Sequence, residues 1–289
     1  MKKKNIKLYK IFIYIALIAV AISIIVPVGW VFMASLKQNA EFYTSPWNLP
    51  NGFYIQNFIN AFQKAKMGEY FLNSIIVTGL ALVILLAVSL PAAYVLARFE
   101  FKFKKLINTL YMAGLFINVN YIVVPIFLML LDWDDVVYEF FKTSFFLDNI
   151  FVLAVIYAAT AIPFTVYLLV SYFKTLPKTY EEAAHIDGCS YFQTMIKIMI
   201  PMARPSIVTV ILFNFLAFWN EYIIALTLLP GVNKTLPVGL VSLSQAARGK
   251  AEYGMLYAGL VIVMLPTLIL YMMVQKKLTQ GMTVGGIKD

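Results

Sequence analysis

Few side chains in this sequence are equipped for chemistry, and they fall in two places. One histidine, His185, and one cysteine, Cys189, are all the chain has. Neither a zinc-type ligand set nor a disulfide can be built from them. Both sit in the segment 174–205, together with Glu182 and Asp187. The second place is Glu221, the one charge in the apolar stretch 205–233. An ionised side chain at a bilayer centre costs at least about 2.5–3.5 kcal/mol, so Glu221 must face protein or water. Asn214, Ala217, Phe218 and Glu221 follow the 3.6-residue period and share a helix face, with Trp219 and Asn220 on the adjacent faces. Two readings stand. Polar side chains beside an aromatic face suit the lining of a solute pathway, and the same cluster suits a polar clamp that bonds another helix. Asn118 and Asn120, with Tyr121, are weaker candidates for either role. Catalysis is not expected: no acids or histidines are paired on facing apolar segments. No Gly-x-x-x-x-Gly-Lys-Ser/Thr loop is present, so the chain should not bind ATP. No cofactor and no metal are expected.

The elements that position these residues follow from composition. Of the 289 residues 62% are hydrophobic and 13% charged, against about 45–50% and 25% in a soluble domain. That excludes a soluble globule and a disordered chain. The net charge of +9 comes from basic residues between apolar blocks, so it reads as topology rather than as nucleic-acid binding. Six stretches, 11–36, 70–97, 106–131, 149–173, 205–233 and 253–275, are long enough for helices crossing a hydrocarbon core of about 30 Å. The fold class is therefore all-α, a polytopic membrane protein with six transmembrane helices and the lipid bilayer as solvent. With the N-terminus in the cytoplasm, the inner segments 1–10, 98–105, 174–204 and 276–289 hold 16 Lys and Arg, and the outer segments 37–69, 132–148 and 234–252 hold 7. Both termini are expected inside. The first span is too long for a signal-peptide core and reads as an uncleaved anchor. Pro27, Pro91, Pro125, Pro163 and Pro266 lie within the apolar runs, as bundle packing or as kinks that shape a pathway.

The inner segment 174–205 is too ordered for a mere connection. Thr179 and Glu182 stand in capping-box spacing, which predicts a helix from about Tyr180. Gly188 is placed to end it in the left-handed conformation. Ser190 and Gln193 repeat the spacing and predict a second helix, with Tyr191, Met195 and Ile198 on one face, stopping before Pro201. The product is a rigid knob of two short helices. Asp187 either pairs locally or caps the turn, and His185 reads as a surface or interface histidine. The outer segment after span five, rich in Gly and Pro, is expected to turn.

Glu182-Ala183-Ala184, three residues, Gly188, nine residues, then Ile198-Met199-Ile200-Pro201 resembles the EAA loop of ABC importer permeases. Ile200 replaces the usual leucine, and Cys189 stands where a small alanine is common. Asn73-Ser74, Ala97-Arg98-Phe99, Phe218-Trp219-Asn220-Glu221 and the tail Gln280–Lys288 are similar to the maltose-type carbohydrate branch. The resemblance implies a permease subunit paired with a second permease, in a heterodimer, with two ATP-binding-cassette ATPases and an extracytoplasmic solute-binding protein. It implies import of a di- or oligosaccharide across the bacterial cytoplasmic membrane by alternating access, without nucleic acid. A polyol or glycerol-phosphate solute is the alternative within the family, and an ion-coupled secondary transporter is the more distant one. The implied parts are an N-terminal tail, first helix and external loop (1–69), a five-helix permease core (70–275) containing the coupling loop (174–205), and a C-terminal tail (276–289). Glu182, Ala183, Ala184, Asp187, Gly188 and Pro201 are the implied ATPase-coupling residues, Glu182 pairing with a basic residue of the ATPase groove. Arg248 and Lys250, in the loop that faces the binding protein in this family, are candidate contacts to it or simply exposed topology residues.

Overall fold

The computed structural model describes residues 8–250 and 252–284. The side chains of Leu8, Arg248, Lys250 and 276–284 lie outside that description. The long apolar runs fold as helices because a backbone in lipid must satisfy its own polar groups. Among the described residues the regular elements are all helical. They are α1 (Leu8–Ser35), α2 (Asn39–Thr44), α3 (Gln56–Gln63), α4 (Met67–Arg98), α5 (Lys104–Gly114), α6 (Val119–Phe141), α7 (Ile150–Thr175) and α8 (Thr179–Ile186). Then come α9 (Tyr191–Thr194), a π turn (Met195–Met199), α10 (Ile200–Met202), α11 (Arg204–Asn220), α12 (Ile223–Leu228), α13 (Leu236–Lys250) and α14 (Tyr253–Val284).

Four stretches cross a membrane by length and composition: Tyr9–Ser35, Met67–Arg98, Ile150–Thr175 and Tyr253–Gln275. The third and fifth expected spans are not single straight helices. Lys104–Gly114 meets Val119–Phe141 at 101°; the fifth bends from Tyr191–Met202 by 73° where it starts at Arg204 and breaks between Asn220 and Ile223. The first break has local causes. A Cβ on Gly114 would lie 2.8 Å from Cγ of Pro163, so α5 ends in close approach to α7. Four residues later the Asn118 side chain accepts from the Asn120 N–H at 3.0 Å and starts α6 as its N-cap. The prolines at 27, 91, 125, 163 and 266 each lie inside a helix that continues past them.

The chain forms two compact units. One comprises 1–68 and 239–266. Its α1 window is entirely unburied, as suits a helix immersed in lipid. Past the end of α1, the buried Asn57 amide donates to the carbonyls of Ser35 and Lys37 at 2.9 and 2.8 Å. The buried Lys37 ammonium donates to the Pro46 carbonyl at 2.8 Å and lies 5.9 Å from the Phe42 ring centre. Trp30, Trp47, Phe42, Tyr253 and Tyr257 pack around this turn.

The other unit comprises 69–238 and 267–289. One buried cluster joins the middle of α4 and the first half of α7, with Val77, Leu85, Leu153 and Tyr157, to Leu130, Phe218 and Leu228. A second joins the last turns of the same two helices, with Tyr94, Leu169 and Phe173, to Met195, Met199 and Val210. Where hydrocarbon surrounds the helices, this close packing rather than water exclusion holds them together. Beyond the first cluster, Asp134 accepts from the Ser144 hydroxyl and from the N–H groups of Phe145, Phe146 and Leu147 at 2.6–2.9 Å. The Asp148 N–H bonds the Leu228 carbonyl at 2.9 Å, and its carboxylate accepts from the Gly231 N–H at 3.2 Å.

The segment after span five does not simply turn. Residues 236–250 are helix α13, despite Pro237 and Gly239. Proline is at home in a first turn, where its missing N–H costs nothing. The Leu236 N–H is capped by the Ser74 hydroxyl at 2.8 Å, and the Asn73 amide donates to the Lys234 carbonyl at 3.1 Å.

Candidate functional site

The knob of 174–205 forms, with different caps from those the spacing predicts. α8 starts at Thr179, and its N-cap is Lys178 in helical conformation without a side-chain bond. Thr179 is already the first helical residue, so the Thr179–Glu182 box does not close. The C-terminal end is as expected. Gly188 has φ +78°. The Cys189 N–H reaches the Ala184 carbonyl at 2.9 Å and the Gly188 N–H reaches the His185 carbonyl at 3.1 Å. These two bonds are a Schellman closure, which requires the left-handed residue. Asp187 is the C-cap residue of α8. His185 braces the turn: its Nδ1 lies 3.3 Å from the Cys189 carbonyl and its ring meets Tyr191 edge-on at 4.8 Å.

Ser190 and Gln193 form the full capping box, with bonds of 3.0 and 3.3 Å. The helix that follows does not stop before Pro201. It passes through the π turn and runs on to Met202, with Pro201 exposed inside it. The wide turn rotates Met195 and Met199 into the second buried cluster. The exposed strip of the knob is therefore Glu182, Ala183, Ile186, Tyr191, Phe192 and Ile196, with Ile186 at 86% exposure. Of the two alanines only Ala183 is outside, because Ala184 packs inward. Met195, expected beside Tyr191 on the outer face, is likewise buried.

One contact at the knob has no local signature in the sequence. Arg98, the last residue of α4, places Nε 3.3 Å from the Glu181 carboxylate and donates from Nη2 to the Leu176 carbonyl at 2.6 Å. Ala97-Arg98-Phe99 marked the end of a span, but its partner lies far along the chain. Nearby, Lys104 pairs with Glu100 at 2.7 Å and holds that carboxyl below its ordinary range.

The membrane acid is built into a helix break. α11 ends at Asn220, Glu221 is extended at φ −70° and ψ 132°, and α12 begins at Ile223. The carboxylate accepts from the N–H groups of Ile224 and Ala225 at 2.8 and 3.1 Å, satisfying two orphan donors of α12. It also accepts from the Tyr157 hydroxyl of α7 at 2.6 Å. Trp219 is buried, stacked on Phe215 and edge-on to Phe71. Asn214 is buried as well and donates to Thr165 of α7 at 3.1 Å. Asn220 is exposed at the end of α11, and its amide donates to the Leu216 carbonyl at 2.8 Å. Asn118 and Asn120 are exposed at the other break. An apolar hollow of about 280 Å³ lies beside that break, and Thr160 is its one polar side chain. That is too few polar groups to hold a sugar. Arg248 and Lys250 have backbones in α13, but their side chains lie outside the described residues, as does the end of the tail beyond Val284.

Known proteins are similar to this chain along most of its length. The diacetylchitobiose uptake permease NgcG of Streptomyces coelicolor is 35% identical over 93% of this chain and 86% of its own length. The trehalose/maltose transport permease MalG of Thermococcus litoralis is 28% identical over 97% and 98%. The crystal structure of a bacterial ABC transporter involved in import of the acidic polysaccharide alginate contains a chain with the same fold, at TM-score 0.79 and 22% identity, covering 96% of this chain and 98% of that one. Residues 89–284 match the family described as the inner membrane component of binding-protein-dependent transport systems. A family of that kind implies ATPase and binding-protein partners. The chain belongs to this family and is a multi-pass permease subunit of an ABC importer, a transport component rather than a catalyst.

Proposed function

We propose that this chain is one of two different permease subunits of a sugar importer, with the 174–205 knob seated in a groove of a cytoplasmic ATPase. The observation that carries this reading is the knob's geometry. A Schellman-closed helix presents Glu182, Ala183 and Ile186 outward beside Tyr191 and Phe192, while its inner side is packed on the chain's own helices. A rigid body with an exposed apolar strip and the exposed acid Glu182 beside it suits a groove with a basic residue in its wall.

Both termini are assigned to the cytoplasm. The Lys/Arg bias supports this. The Arg98–Glu181 contact supports it too, since it puts the two inner segments 98–105 and 174–204 at the same end of the bundle. The bonds of Asn73 and Ser74 to 234–236, and of Asp148 to Gly231, gather the start of α4, the end of 132–148 and the start of 234–252 at the other end. ATP binding closes the ATPases, the knob carries that motion into the bundle, and the two permeases rock between inward and outward openings. Asn118, Asn120 and Asn220 are the exposed polar groups at helix breaks and are assigned to the pathway. Asn214, Trp219 and Glu221 hold its wall.

A sugar is assigned because NgcG and MalG, similar along nearly the whole chain, carry sugars in their names. The test is uptake into proteoliposomes holding the complete importer, with diacetylchitobiose, maltose, trehalose and glycerol 3-phosphate each offered in turn. ATP-dependent uptake of a saccharide is expected. Uptake of glycerol 3-phosphate with no saccharide transported would overturn the substrate class.

A further inference from the structure

Adjacent acids on α8 face in different directions, since successive helix residues are about 100° apart. Glu182 is exposed, whereas Glu181 turns inward with 15% of its side chain exposed and meets Arg98, 6% exposed. The Tyr94 hydroxyl lies near the same carboxylate, and Tyr94 is wedged between Phe99 and Phe173. Phe99 in turn meets Tyr191 at 5.6 Å, beyond which lies His185 of α8. Between α7 and α8 the chain has only Leu176, Pro177 and Lys178, with Leu176 extended at φ −72° and ψ 135°. A joint of three residues that begins extended leaves α8 free to pivot unless something else holds it.

We propose that Arg98 is the positioning residue of the coupling loop. Its guanidinium ties the Glu181 carboxylate and the Leu176 carbonyl to the last turn of α4, so that α8 and α4 move as one body. The proposal rests on the reading that this loop seats on the ATPases, and it divides the labour between the two acids: Glu181 fastens α8 to a membrane helix, and Glu182 is left for the partner. Arginine suits the task because its planar fork reaches two acceptors at once, which a lysine does not. An exposed ion pair would do little, but here both groups are mostly buried, so removing one strands the other. The Nε–carboxylate approach lies within ion-pair range without the alignment of a hydrogen bond. The directed bond is the one to Leu176, so the guanidinium grips the joint itself.

The test uses the complete importer in nanodiscs, with cysteine-free partners and spin labels on native Cys189 and on Val88→Cys, an exposed position of α4. Distances are measured without nucleotide and after trapping with ATP and vanadate. The parent should give one narrow distribution, the same in both states. Arg98→Ala and the isosteric Glu181→Gln should retain the ATPases but broaden the trapped distribution at least twofold. Arg98→Lys should fall between, and Arg98→Glu with Glu181→Arg should narrow it only in part, because the swap restores the ion pair but a carboxylate cannot donate to the Leu176 carbonyl. A distribution as narrow in Arg98→Ala and Glu181→Gln as in the parent, or a parent distance that itself shifts on trapping, overturns the proposal. Gly188→Val, run in parallel, separates the two claims. If it keeps its ATPases and its uptake, the docking reading fails; if it loses them while Arg98→Ala and Glu181→Gln behave as the parent, only the Arg98 proposal fails.

Discussion

The Tyr157 hydroxyl donates a 2.6 Å hydrogen bond to Glu221, and so fastens α7 to the point where α11 gives way to α12. The Phe218 ring stacks on Tyr157 at 5.4 Å and closes the contact from the apolar side. The single acid of the fifth apolar run is thus a clamp and a helix cap at once, with both carboxylate oxygens engaged.

Glu221→Ala should therefore lower folded yield and transport together. It strands two backbone N–H groups and a tyrosine hydroxyl, at about 1–3 kcal/mol for each buried group left unsatisfied. Tyr157→Phe should be milder, near 1 kcal/mol, because the cap on α12 survives. Size-exclusion yield and uptake measured on the same preparations check this. A Glu221→Ala chain with parental yield and abolished uptake would instead make the carboxylate a pathway contact.

Asp134 should matter to stability in the same way at the far end of α6. Asp134→Ala removes the acceptor of four donors, and even Asp134→Asn turns one donor group towards others. Thermal unfolding in detergent should fall by several degrees for both variants, with Ala the worse. An unchanged midpoint for Asp134→Ala would show that the cage contributes nothing.

Glu41 gives the segment 38–51 a pH dependence. Its carboxyl is held below the usual range by the N–H groups of Asn51 and Gln38. A depressed folded value stabilises above the unfolded pKa near 4.5 and is lost as pH falls through the folded value. Protease cleavage in 38–51 should therefore rise as pH falls below 4.5 in the parent. In Glu41→Gln it should already be high at neutral pH, and equal cleavage of the two proteins at pH 7 would contradict the assignment.

Topology can be read directly in a Cys189→Ser background with single cysteines at Lys4, Thr143 or Lys276. An impermeant reagent applied from outside should label Thr143→Cys alone. Labelling of Lys4→Cys or Lys276→Cys would reverse the orientation.

Much of the fold is legible in the sequence wherever one residue type or one short spacing decides the outcome. Apolar run length locates the spans, Gly188 marks the left-handed turn, and Ser190 with Gln193 marks a helix start. Thr179 misleads because Lys178 before it is already helical, and a residue inside a helix cannot cap it. The helix α13 is hidden because its cap is the Ser74 hydroxyl, 162 residues away. The inward faces of Ala184 and Met195 depend on packing and on the π turn, neither of which leaves a pattern in the local sequence. Glu181 is passed over in favour of Glu182 for the same reason, since its partner Arg98 is a tertiary neighbour.

The central claim is that the 174–205 knob is the mechanical link to the ATPases, and Gly188→Val tests it most directly. A Cβ at this position meets open space, so the substitution acts only through the backbone at φ +78°, a strain of about 1–2 kcal/mol for a residue with a side chain. Membrane insertion should be unaffected, while the Schellman turn opens and α9 leaves α8 at a different angle. Purified with its partners, the variant should lose most of its ATPase and its sugar uptake while its expression stays at the parental level. Parental ATPase co-purification together with parental uptake would contradict the account.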